Sequence, residues 1–159
     1  MRLVILYACL AVFPALLSAQ FSTPFFGTFD AERGETLTPA RDGKLWFGGR
    51  KDDRVLLLKL NTGGTLLEQH SVGFPGAGLD NEHLVDLSED SDGMLVGCGF
   101  FENDNAGRGF VFRYNPLTRQ MLWAHIVHSN LNVLYGIVEL GPGGDFVLYG
   151  NPHFAGGND

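Results

Sequence analysis

Asp42–Gly49 reads DGKLWFGG, and the same design returns as DGMLVGCG at Asp92–Gly99 and as GGDFVLYG at Gly143–Gly150. Each copy opens on a turn pair, Asp-Gly or Gly-Gly, that takes positive φ at little cost. It continues as an apolar strand and closes on a glycine, where another backbone can approach. Gly43, Gly93 and Gly144 stand in the turns. The closing glycines Gly49, Gly99 and Gly150 are 50 and 51 residues apart, a spacing that belongs to repeat architectures.

Around each copy the same grammar recurs. A strand of alternating character precedes it: Glu35–Ala40, Leu84–Ser88 and Leu134–Leu140. Polar residues follow, Arg50–Asp53 and Glu102–Arg108, and then a third strand, Val55–Leu60 and Phe110–Tyr114. Turn residues Asn61-Thr62-Gly63-Gly64 and Asn115-Pro116-Leu117-Thr118 lead into a fourth strand, Thr65–His70 and Gln120–Val127. No window shows a helical apolar period. Four short antiparallel strands per unit at a period near 50 predict an all-β fold, a β-propeller-type array of four-stranded blades. The units are 35–83, 84–133 and a truncated 134–159, about two and a half in all, so further repeats are expected downstream. A β-sandwich is the alternative, but it gives no reason for the glycine-closed turn to recur.

The segment Asn115–Trp123 (NPLTRQMLW) resembles the D-(A/P)-x-T-G-x-x-x-W signature of PQQ-like propeller repeats, with Asn115 for the Asp and Arg119 for the Gly. In that family the turn joins the third and fourth strands, and the Trp, here Trp123, docks adjacent blades. The first unit keeps Thr62-Gly63 and has Leu67 at the Trp position. Leu45–Gly49 (LWFGG) resembles the double-glycine strand of kelch repeats. The style as a whole is similar to tandem repeats of secreted bacterial surface proteins, over roughly residues 35–150. The resemblance implies a fold more than a function, because propellers host unrelated activities.

Ahead of the repeats, Arg2, the apolar run Leu3–Leu17 and the small residues Ser18-Ala19 predict a secretory signal peptide over residues 1–19, cleaved before Gln20. The run falls short of the roughly 20 residues of a spanning helix, so no stable membrane anchor is expected. Residues 20–34 form a lead-in segment rich in Phe. Cleavage removes Arg2 and no acid, taking the formal charge from -7 to -8. With no Lys/Arg cluster, such a chain repels a phosphate backbone, which excludes nucleic-acid binding. Cys98 becomes the sole cysteine and reads as a small buried apolar side chain.

No catalytic constellation is present: neither G-x-S-x-G nor H-E-x-x-H occurs. Calcium is the one metal that the loops favour, through Asp90 and Asp92 in EDSDG and Asp104 in ENDNAG, since Ca²⁺ takes clustered oxygen ligands. No other cofactor is expected. His125 and His128, three apart on a strand, fall on opposite faces and lack a third ligand. Glu68, Glu82 and Glu139 are the carboxylates from which a glycosidase pair would come. Trp46, Trp123, Tyr114, Tyr135 and Tyr149 serve either sugar stacking or packing between sheets. The sequence therefore points to a non-catalytic extracellular module, secreted, at the cell surface or periplasmic, with a protein or glycan ligand. The alternatives are a propeller enzyme, quinoprotein-like or glycosidase-like, whose catalytic residues lie in other blades, and a periplasmic sensor domain.

Overall fold

The computed structural model describes residues 33–74, 82–101, 108–127, 133–142 and 144–151. Within them the chain is all-β: ten strands, no helix and three antiparallel sheets. The first sheet holds β1 (Arg33–Pro39), β2 (Leu45–Lys51), β3 (Arg54–Leu60) and β4 (Leu66–Val72) in that order. The second holds β5 (Glu82–Glu89), β6 (Leu95–Phe101), β7 (Gly109–Asn115) and β8 (Gln120–Val127). The third holds β9 (Val133–Glu139) and β10 (Phe146–Asn151). Each sheet is a simple meander, and none closes on itself. The predicted signal peptide, Asp104 and His128 lie outside the described residues. β1 begins at Arg33, so it takes in the last two residues of the lead-in segment.

The three glycine-closed stretches become β2, β6 and β10, the second strand of each sheet. Their turn glycines take positive φ, 77° at Gly43, 78° at Gly93 and 85° at Gly144, as the turn pairs require. The closing glycines have a separate cause. In each sheet the first strand carries one extra residue in the register, Glu35, Val85 or Tyr135, a β-bulge at the same place each time. A Cβ on Gly49, Gly99 or Gly150 would collide with the carbonyl oxygen of Arg33, His83 or Val133 respectively. The bulge and the glycine are two halves of one device, repeated three times.

The turns between third and fourth strands also correspond. Asn61 Oδ1 accepts the N–H groups of Gly63 and Thr65 at 2.9 and 2.8 Å, and Asn115 Oδ1 accepts those of Leu117 and Thr118 at 2.9 and 3.1 Å. Positive φ falls on Gly64 (81°) in one turn and on Arg119 (58°) in the other. The second turn is one residue longer, which corrects the alignment read from sequence. Trp123 pairs with Arg113 as Glu68 pairs with Lys59, so Glu68, not Leu67, occupies the Trp position of the first sheet. An L-residue in the left-handed region costs roughly 1–2 kcal/mol. Arg119→Gly is therefore expected to raise stability by about 0.5 kcal/mol, after glycine's larger unfolded-state entropy is subtracted. Urea denaturation would read it as a raised midpoint at unchanged slope.

Sheets stack face to face in chain order. β5 packs across β1, β2 and β3, and β9 packs across β5, β6 and β7. Two apolar cores result. One lies between the first and second sheets, with Trp46, Val55, Leu57, Leu84, Leu87, Leu95, Phe110 and Phe112 all nearly inaccessible. The other lies between the second and third, around Val96, Cys98, Val111, Leu134 and Ile137, and Trp123 packs against it with its ring 6.0 Å from that of Phe146. Backbone polar groups across these junctions are met in a repeating way. Glu89 Oε2 accepts Arg41 N at 3.2 Å, and 50 residues on Glu139 Oε2 accepts Ser91 N at 2.8 Å.

Candidate functional site

Two of the three acids predicted to hold calcium, Asp90 and Asp92, sit on the turn before β6. Asp90 is buried; its Oδ1 accepts the N–H groups of Asp92 and Met94, both at 2.9 Å. Its Oδ2 accepts Arg113 Nε at 2.6 Å, while Arg113 Nη2 reaches Asp92 Oδ2 at 2.6 Å. One guanidinium thus spans both carboxylates, and their negative charge raises its pKa further. The first sheet repeats the arrangement with Lys59 on Asp42 at 3.0 Å. Hydrogen bonds from Lys44 and Lys59 hold the exposed Asp42 carboxyl down at about 2. Among the described residues no group of three or more His, Cys, Asp or Glu is placed to hold a metal.

Arg113→Met leaves the buried Asp90 carboxylate with backbone donors alone. Its expected cost is about 2 kcal/mol, the loss of charge-assisted hydrogen bonds to a desolvated group. Arg113→Lys should recover only part of it, because a point charge cannot span both acids. Thermal denaturation of the two variants checks the order.

The carboxylates considered for glycoside chemistry are kept apart by structural work. Glu82 is buried and accepts Val55 N at 3.0 Å and Phe74 N at 3.2 Å, joining the second sheet to the ends of β3 and β4. Glu139 accepts the backbone N–H and hydroxyl of Ser91. Glu68 lies beside Lys59 and the Nε2 of His70. His70 is itself buried between Trp46 and Tyr114, with Nδ1 3.1 Å from the Tyr114 hydroxyl, and burial pushes its pKa down. Burial raises the Cys98 thiol to about 12, which makes it unreactive at neutral pH.

One polar cluster went unread in the sequence. At the bulge end of the first two sheets His83 Nδ1 lies 2.7 Å from Glu35 Oε1, and His83 Nε2 lies 3.1 Å from Arg50 Nη1. The imidazole stacks on Phe100 at 5.0 Å. Arg50 can only donate, so Nε2 accepts and Nδ1–H donates to Glu35: a neutral imidazole bridges an anion and a cation. Both ring nitrogens are engaged, which suits locking two sheets together better than moving protons. The sequence signal was departure from the repeat. Equivalent positions hold Val85 and Tyr135 for Glu35, and Phe100 and Asn151 for Arg50.

The chain matches no protein-family model and no curated protein.

The surface that stands out is the outer face of the third sheet. Register makes Val147 the counterpart of Val96 and Tyr149 the counterpart of Cys98. Val96 and Cys98 are 0% exposed because the third sheet covers them, whereas Val147 is 44% and Tyr149 56% exposed. Val138, paired with Val147, and Tyr135 are exposed as well. Of the five aromatics weighed for sugar stacking, Trp46 and Tyr114 are buried, Trp123 packs between sheets, and only Tyr135 and Tyr149 stand on this open face. Beside it runs the edge of β10, which pairs with β9 alone among the described residues and carries no Lys, Arg or Pro to discourage strand addition.

Proposed function

We propose that the chain is part of a β-propeller-type array in a secreted or cell-surface protein, where it serves as a non-catalytic module for recognition or scaffolding. The observation that carries this reading is the apolar outer face of the third sheet. Its Val147 and Tyr149 stand at the register positions of Val96 and Cys98, which belong to the face on which the second sheet seats the third. The stacking of three like sheets with matched bulges and turns supports the array. The engagement of Glu68, Glu82 and Glu139 in structural hydrogen bonds favours binding over glycoside hydrolysis. Further sheets of the same kind, continuing the stack, are the occupant that the face fits best.

Half-exposed apolar side chains contribute about 1 kcal/mol each when covered. The chain alone is therefore expected to bind a hydrophobic dye and to associate with rising concentration. Val147→Asp with Tyr149→Asp should abolish both and leave the melting temperature unchanged. A wild-type chain that sediments as a monomer and binds no dye would defeat the docking reading. Export is tested separately, by mass: the exported protein should begin at Gln20 or within a few residues of it.

A further inference from the structure

Histidine stands at one register position in both four-stranded sheets. His70 on β4 pairs with Leu57 and His125 on β8 pairs with Val111, so each lies on the face that its sheet turns toward the next. His125 is exposed, with its ring 5.5 Å from that of Trp123. The His70 side chain is 1% exposed, with Trp46 of β2 on one side at 5.9 Å and Tyr114 of β7, from the second sheet, edge-on to it at 5.6 Å. Its polar contacts fix the tautomer. A carboxylate only accepts, so Nε2–H donates to Glu68 Oε2 at 3.4 Å, and Nδ1 accepts the Tyr114 hydroxyl at 3.1 Å. The second bond runs from one sheet to the other. A proton on Nδ1 removes its acceptor, turns the phenol hydrogen toward apolar neighbours and puts a charge where water does not reach.

We propose that His70 is an acid-sensitive latch: neutral, it fastens the first sheet to the second through Tyr114, and protonated it releases that joint. The charged groups around the ring do not offset burial. Glu68 on β4 attracts a proton to it, whereas Lys59 on β3 and Arg119 in the turn before β8 oppose one. Lys59 is itself held on Asp42, in the turn before β2, and over the Trp46 ring. Burial has the largest influence and pushes the His70 pKa below its ordinary 6.5. Tyr114, whose pKa burial raises, keeps its proton throughout the acid range. The unfolded chain therefore takes up the His70 proton near 6.5, and the folded chain only at lower pH. The stability that His70 contributes is whole above 6.5 and is lost as pH falls from there to the lowered value. The latch lies within the described sheets, so it stands whether or not the third sheet receives further ones.

The test is urea denaturation of the full chain at about pH 7.5 and about pH 5, on either side of the His70 transition. Tyr114→Phe keeps the ring and removes only the hydroxyl, so at the higher pH it should raise the unfolding constant about fivefold, the effect of one hydrogen bond. At the lower pH that ratio should approach one. A ratio that stays constant, or grows in acid because the phenol oxygen accepts from the imidazolium, overturns the latch. His70→Gln, with no proton to gain, should lose less stability on acidification than wild type. The exposed His125→Gln should follow wild type. If His125→Gln removes as much of the acid dependence as His70→Gln, the latch is likewise overturned. Other titrating groups, Glu82 among them, are common to all the variants and cancel in these ratios. Should His70→Gln fail to fold, the Tyr114→Phe ratio alone decides.

Discussion

Gly99→Ala is expected to cost about 3 kcal/mol, enough to leave a domain of ordinary stability largely unfolded at modest denaturant. The added methyl meets the His83 carbonyl oxygen and, at 2.8 Å, the Phe110 ring, so neither a rotamer change nor a flexible neighbour relieves it. Two strands would have to separate at the bulge, which also carries Asp86 and its hydrogen bond to Ile137 N in the third sheet. Gly49→Ala meets the Arg33 carbonyl and should behave alike. Gly93→Ala is the control: its methyl would meet only Glu89 Oε1, at an ordinary 3.7 Å, and the strain is that of a φ of 78°, about 1 kcal/mol. Urea titration of the three variants measures the difference. Equal losses at Gly93 and Gly99 would show that turn conformation, not the bulge, is what the repeat conserves.

That contrast also explains how far the sequence could be read. A turn glycine advertises itself through its Asp or Gly neighbour and the apolar run behind it, and so the order of all ten strands was legible, with Gln120–Val127 placed to the residue. The closing glycines were legible as places of close approach, but the partner was not. A bulge depends on register between two strands, and Glu35, Val85 and Tyr135 share no residue type that marks it. For the same reason the Trp position was set one residue early in the first unit: the extra residue in the Asn115 turn has no compositional signature. Polar chemistry was least legible. Asp90 and Asp92 look like clustered oxygen ligands until Arg113, 21 residues from Asp92, is folded onto them. The Glu35, Arg50 and His83 cluster exists only because two sheets meet.

Glu82 is a second residue whose role appears only in three dimensions, and Glu82→Ala is expected to cost about 3 kcal/mol. Its two oxygens accept Val55 N and Phe74 N at the rim of the first core, and Phe74 lies among Phe101, Phe110 and Phe112 with ring centroids 4.5 to 5.9 Å away. Removing the carboxylate leaves two backbone donors unpaired, each at about 1–3 kcal/mol where water does not reach. Glu82→Gln keeps one acceptor and should cost less. The pH profile separates hydrogen bonding from charge. Burial raises the Glu82 pKa above its ordinary 4.5, with the two backbone donors opposing more weakly. The folded state therefore holds the proton more tightly than the unfolded chain. Glu82's effect on stability is most favourable below 4.5 and declines as pH rises through the raised value. Stability of wild type relative to Glu82→Gln should fall as pH is raised from 4.5 through that window, then level off. A difference that rises with pH would mean that the hydrogen bonds from Val55 and Phe74 outweigh desolvation, and that Glu82 fastens the two sheets as a charged group.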